Sequence, residues 1–165
     1  MDLTPKRAAD SATEMVQVVL PNDANPLGFI LGGTVMHLID IAGAIACHRH
    51  TRTLLVTAAV DDLQFLHSIK VGDLIILKAR VTCAFTTSLE VQVDVFSEEI
   101  LTGERQLTST AFLTFVAIDR AGAKVPVPPL VSESEADRRM CEDAHARRAA
   151  RLRRKSEARS TKYEA

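Results

Sequence analysis

Residues 25–40 read Asn25-Pro26-Leu27-Gly28-Phe29-Ile30-Leu31-Gly32-Gly33-Thr34-Val35-Met36-His37-Leu38-Ile39-Asp40, a turn-rich opening that passes through a glycine pair into a helical pattern. The apolar positions Val35, Leu38, Ile39, Ala42, Ile45 and Ala46 follow the three–four spacing of a one-sided helix, and no proline interrupts it before about His50. At about 100° per residue, Asp40 falls roughly 140–150° from the centre of that stripe, with Gly33 only about 20° from Asp40. A carboxylate and the helix's N-terminal amides therefore share a face, about 10 Å apart along the axis. Helical side chains lean toward the N-terminus, which shortens the gap. Free N–H groups at a helix start can hold a developing oxyanion, and the missing side chain of Gly33 lets a carbonyl come close. That is half of an acyl-transfer site. The bland alternative is a solvated mid-helix Asp after an ordinary Gly-Gly turn, and spacing alone leaves both open.

Outward from this helix the pattern is strand-like. Thr13–Leu20 is a short β-type run closed by the turn-rich residues 21–28. Leu54–Asp61 is rich in Val, Thr and Ala, and Leu74–Cys83 follows the turn Val71-Gly72-Asp73. Ser88–Phe96 alternates most clearly, with Leu89, Val91, Val93 and Val95 on one face and Glu90, Gln92 and Asp94 on the other. Leu107–Ile118 has apolar residues of both parities, as a buried central strand should. Pro126, Pro128 and Pro129 are expected to end the β region, and from Ser134 the charged, Ala-rich chain reads as a helix. The order strand, helix, four strands, helix predicts an α+β fold in which an antiparallel, meander-like sheet wraps a long central helix, with a C-terminal helical extension. The expected organisation is a loose leader over 1–12, one domain over 13–130, and a charged helix and tail over 131–165. A single curled sheet leaves exposed edges, which predicts pairing with a second copy.

Composition narrows the function. Of 165 residues 47% are hydrophobic, enough for a real core, while aromatics make up 4% and the net charge is −1. Few rings and no overall positive field argue against nucleic-acid binding. Cys47, Cys83 and Cys141 are widely spaced and form no CxxC pair, the pattern of reduced thiols rather than a disulfide framework or a zinc site. The N-terminal residues lack a signal-peptide run, and no segment reaches about 18 apolar residues, so no membrane insertion is expected and the protein reads as cytoplasmic.

Asn25, Gly28, Gly32-Gly33, Met36 and Ile39-Asp40, followed by residues 56–61 (VTAAVD), Phe65, Gly72-Asp73, Thr87-Ser88-x-Glu90-Val91 and Phe112-x-x-Phe115-Val116, together resemble the hotdog acyl-CoA thioesterases of the YciA and brain acyl-CoA hydrolase type. The match runs in order over roughly residues 13–130. The resemblance implies a hotdog fold and hydrolysis of acyl-CoA to free acid and CoA, without metal or organic cofactor. It also implies dimers, commonly assembled into hexamers, with Asn25 of one subunit facing a catalytic Asp40 of its partner. Two departures stand out. Leu31 occupies the place of a His found in many relatives before the glycine pair, and Phe85-Thr86 replaces a glycine common before Thr87-Ser88.

On that footing Asp40 would act as general base or as nucleophile, Asn25 would orient water or the carbonyl, and Gly33 N–H would polarise the thioester carbonyl. Gly32, Thr87, Ser88 and Arg49 are candidates for contacting the CoA portion. For Thr87 and Ser88 the competing reading is that they satisfy turn backbone. For Arg49, as for the neighbouring His48 and His50, it is complementing the helix dipole. A metal pair at His48 and His50 is disfavoured, because side chains two apart do not share a helix face. The basic run from Arg147 to Lys155 reads best as a solvated helix; it has no apolar stripe of the kind a membrane-surface helix needs. Two other functions on the same fold are an acyl-CoA-binding protein without turnover and a hydratase or dehydratase. The latter places a His near its acid, and no His lies five residues after Asp23 or Asn25.

Overall fold

The structure, a computed structural model, describes residues 2–163, with side chains to residue 158. The chain divides into two compact units, Met1–Val131 and Ser132–Ala165. The first contains strands β1 (Lys6–Arg7), β2 (Thr13–Val18), β3 (Leu54–Asp61), β4 (Leu74–Ala84), β5 (Ser88–Glu98), β6 (Arg105–Ile118) and β7 (Leu130–Val131), with helix α1 (Gly32–Thr51). The second contains α2 (Glu135–Tyr163). Its start is capped by Ser134, whose Oγ accepts the Asp137 N–H while the Asp137 carboxylate accepts the Ser134 N–H. Among the described residues no helix is long and apolar enough to cross a membrane.

The main sheet is antiparallel with strand order β2-β4-β5-β6-β3. This departs from a meander through four consecutive strands. Only β4, β5 and β6 run as neighbours; β3 pairs with β6 and stands at the far edge from β4, reached through residues 62–73. The separation follows from connection length: a long link releases β4 from pairing with the strand before it, whereas β4-β5 and β5-β6 are joined by short turns. Register shifts at Thr57/Ala59, Val81/Cys83 and Val95/Phe96 add local twist and help the sheet curl.

The alternation read from β5 is realised: Leu89, Val91, Val93 and Val95 are fully buried in the core. Opposite them α1 buries Val35, Leu38, Ile39, Ala42 and Ala46, as its spacing predicted, but Ile45 is only half-buried while Gly43 and Cys47 are buried. Small residues let the helix sit close to the sheet. A Cβ built at Gly43 would lie 3.1 Å from a Val91 methyl and 3.2 Å from the Phe115 ring. Both side chains are fully packed, so neither can yield easily. Overpacking of about 1–3 kcal/mol should outweigh a helix-propensity gain of about 1 kcal/mol. Gly43→Ala is therefore expected to lower the thermal midpoint by roughly 2–4 °C per kcal/mol of net loss, measured by calorimetry. An unchanged or raised midpoint would show that the helix–sheet contact is looser than these distances imply.

The leader expected over residues 1–12 is tied down from Lys6 onward. β1 pairs in parallel with β7, beyond the prolines that were expected to end the β region. Lys6 Nζ donates to the His50 carbonyl at 2.7 Å, and the His50 ring donates through Nε2 to the Pro128 carbonyl at 3.0 Å. These bonds are long-range, so no local pattern in the first dozen residues announces them.

Candidate active site

Three local structures meet around α1, and each follows from its residues. The first is the turn at Asn25. Its Oδ1 accepts the Leu27 N–H at 2.9 Å and the Phe29 N–H at 3.3 Å, and its own N–H donates to the Phe29 carbonyl at 2.8 Å. This is the side-chain-to-backbone turn that Asn favours, and Gly28 with φ +82° supplies the left-handed residue it needs. With Oδ1 consumed, the side-chain NH2 is the half of Asn25 available to a ligand, so the residue can only donate. The sequence could not choose between donor and acceptor.

The second is the start of α1. Leu31 is the N-cap and provides no side-chain hydrogen bond, so the first-turn amides are not capped by their own chain. Gly33 is exposed, and a Cβ built there would meet nothing within 4 Å. Open space in front of uncapped amides is what an anion-accepting helix end requires.

The third is Asp40 with its partner. Asp40 is half-buried on the face of α1 that also carries the exposed Gly33, Met36 and His37. Its Oδ1 accepts a 2.7 Å hydrogen bond from Thr57 Oγ1. Thr57 shares the inward parity of Leu55 on β3, and the bulge between Thr57 and Ala59 follows it directly. Bulges re-aim side chains at such positions. Among the described residues Oδ2 of Asp40 has no partner, so one oxygen is fixed and the other is free. In the sequence Thr57 is one residue of the run 56–61, and nothing local marks it as the donor that orients Asp40.

Asp40 and Thr57 lie at the open edge of the sheet. β3 pairs only with β6, and Leu54, Val56 and Val60 on it are 50%, 45% and 46% exposed. An apolar edge strand with unpaired backbone is a surface made to be covered.

Asn25 and Gly32 are brought together at one cavity of ≈ 340 Å³, whose walls include Val35 and Phe65; Asp40 and Gly33 do not line it. The remaining sequence candidates lie elsewhere. Arg49, in the last turn of α1 and about 24 Å along the axis from Gly33, donates through Nη1 to the Ala12 carbonyl and to Thr13 Oγ1, both at 3.0 Å. It fastens the start of β2. Ser88 is buried at the start of β5 opposite Val116, and the Thr87 carbonyl accepts the Ala117 N–H at 2.9 Å. Neither lines the Asn25 cavity.

A long helix held in a curled five-stranded antiparallel sheet is the arrangement of the hotdog class of protein. The thioesterase superfamily model matches residues 27–104. The chain is 44% identical over 117 residues to the uncharacterized acyl-CoA thioester hydrolase YkhA of Bacillus subtilis (strain 168), covering 71% of this chain and 68% of that one. It belongs to the thioesterase superfamily. Among solved structures, an apo-hexameric acyl-CoA thioesterase superposes with a TM-score of 0.87 at 40% identity, covering 92% of this chain and 97% of that one. The acyl-CoA hydrolase of Staphylococcus aureus, solved with butyryl coenzyme A, coenzyme A and coenzyme A disulfide, gives 0.86 at 32% identity over 94% of this chain and 95% of that one. That enzyme has also been solved with alanine at an aspartate, an asparagine and a threonine. The three are spaced along its chain as Asp40, Asn25 and Thr57 are here.

Proposed function

We propose that this protein hydrolyses acyl-CoA thioesters to the free acid and CoA, with Asp40 as its catalytic carboxylate. The observation that carries the reading is the Asp40–Thr57 pair: a carboxylate with one oxygen held and one free, on the helix face that bears the uncapped amide of Gly33. The free Oδ2 takes a proton from water as the water oxygen attacks the thioester carbonyl. Gly33 N–H stabilises the oxyanion that forms. Collapse of the tetrahedral intermediate breaks the C–S bond, and the CoA thiolate recovers the proton. Direct attack by Oδ2, giving a mixed anhydride, uses the same groups. Single turnover in ¹⁸O-water separates the two, since only the anhydride route can leave label in the Asp40 side chain.

Asn25 lies on the turn before α1 and donates through its NH2. In this proposal it acts on a thioester held at the partner subunit's acid, across the seam formed by the exposed β3 edge. The apolar edge residues support a dimer, and the hexameric relative supports a trimer of such dimers. No metal or organic cofactor enters the chemistry. Gly32, Thr87 and Ser88 remain candidates for contacts to CoA, whereas the bonds made by Arg49 favour a structural role.

The test is direct. Purified protein given acyl-CoAs from acetyl to stearoyl, with a thiol reagent, should release CoA from at least part of the range. Tight acyl-CoA binding without release at any length would make it a binding protein instead.

A further inference from the structure

The cavity beside Asn25 encloses ≈ 340 Å³. Its walls are mainly apolar: Phe29, Ile30, Val35, Phe65, Leu66 and Ile69 line it. Its polar lining is Asn25, His67, Ser68 and Thr108, and part of it is spent, because Asn25 Oδ1 is held by the turn and Thr108 Oγ1 donates to the Val95 carbonyl at 3.0 Å. Neither Lys nor Arg lines it, so it offers phosphate no permanent positive charge. Cationic groups gather elsewhere, where His48, Arg52 and Arg120 line an open cleft at the other end of α1. Ligand chambers are concave and apolar with a few placed polar groups, and this cavity has that composition.

Phe65 is its distinctive wall. The ring is half exposed, yet it rests against the helix start, with its edge 3.4 Å from where a Cβ on Gly32 would be. A side chain that leaves so much apolar area in water while closing a cavity gains most when the cavity is filled.

We propose that this cavity receives the acyl chain of the substrate and that Phe65 sets the chain length it accepts. This rests on the reading of Asn25 as donor to the thioester carbonyl: a chain attached to that carbonyl starts at the cavity's rim. Size sets the range. An apolar cavity of about 150 Å³ holds the six carbons of benzene, so ≈ 340 Å³ holds roughly fourteen carbons on that scale. The fitting substrates are acyl-CoAs with chains up to about that length.

Binding of S-alkyl-CoA thioethers, which cannot be hydrolysed, tests this without relying on turnover. Calorimetric Kd values for the wild-type protein should fall roughly fourfold per added methylene while the chain is entering the cavity, then level off near about fourteen carbons. Phe65→Ala should weaken binding of an eight-carbon chain by about tenfold or more, as a buried contact of several methylenes is lost, and move the plateau to longer chains. Ser68→Phe, adding bulk to the exposed part of the wall, should move the plateau to shorter chains. Length profiles of both variants that superimpose on the wild type would overturn the proposal. A protein that shows these shifts but releases no CoA from true thioesters would retain the acyl chamber and lose only the hydrolytic reading.

Discussion

Asp40→Asn should lower kcat for acyl-CoA hydrolysis by about 10²–10⁴-fold, the range over which a positioned general base contributes. The substitution is chosen because it keeps the shape and an acceptor oxygen for Thr57 Oγ1, so the 2.7 Å hydrogen bond survives. What it removes is the charge and the ability to take a proton. The half-buried position on an exposed helix face predicts little change in thermal midpoint, which separates chemistry from folding. Thr57→Val makes the complementary cut. It leaves the carboxylate intact but frees Oδ1, and loss of one hydrogen bond to a charged group, about 1.5–3 kcal/mol at most, predicts a fall of roughly ten- to hundredfold. CoA release followed with a thiol reagent reads both variants. Near-normal kcat in the Asn variant would remove Asp40 from the mechanism, however severe the Thr57 effect.

Mixing two inactive variants is expected to restore activity. Asn25→Ala subunits retain Asp40 and lack the donor; Asp40→Ala subunits retain the donor and lack the acid. If each site draws Asn25 from one subunit and Asp40 from its partner, a mixed dimer contains one complete site and one doubly broken site. Random reassociation of equal amounts should then recover about a quarter of wild-type activity, because half of the dimers are mixed and each carries one of its two sites. The physical basis is the separation of these residues within one subunit: Asn25 lines the cavity at the start of α1, whereas Asp40 is turned toward the open β3 edge, where Leu54, Val56 and Val60 are exposed. Coexpression, or mild dissociation and remixing, followed by the same release assay measures it. Activity that stays at the sum of the two parents would place the whole site within a single subunit.

The limits of sequence reading are instructive at particular residues. Asn25 was identifiable as a turn residue near the helix start, but whether it offers a carbonyl or an amide depended on two backbone N–H groups claiming Oδ1. For Arg49 the sequence favours the helix dipole, with a CoA phosphate as the alternative; its bonds to Ala12 and Thr13 lie 37 and 36 residues away and are not accessible to any spacing rule. Residues 1–12 looked loose because they carry no periodic pattern, and their partners at Pro129–Val131 become neighbours only after the sheet has closed.

Local arithmetic was sufficient for the helix. A 3.6-residue period determines most of the inward face of residues 32–51 (Val35, Leu38, Ile39, Ala42 and Ala46, but not Gly43 or Cys47), that Asp40 is turned away from it, and that Gly33 stands on the same side as Asp40, because these relations hold along one continuous backbone. Tertiary structure alone decided that β3 lies beside β6 at an open edge, that Thr57, 17 residues on, holds Asp40, and that Phe65 closes a cavity against Gly32. Each of those contacts joins segments whose approach depends on the whole sheet's curvature and strand order, quantities that no single stretch of the chain contains.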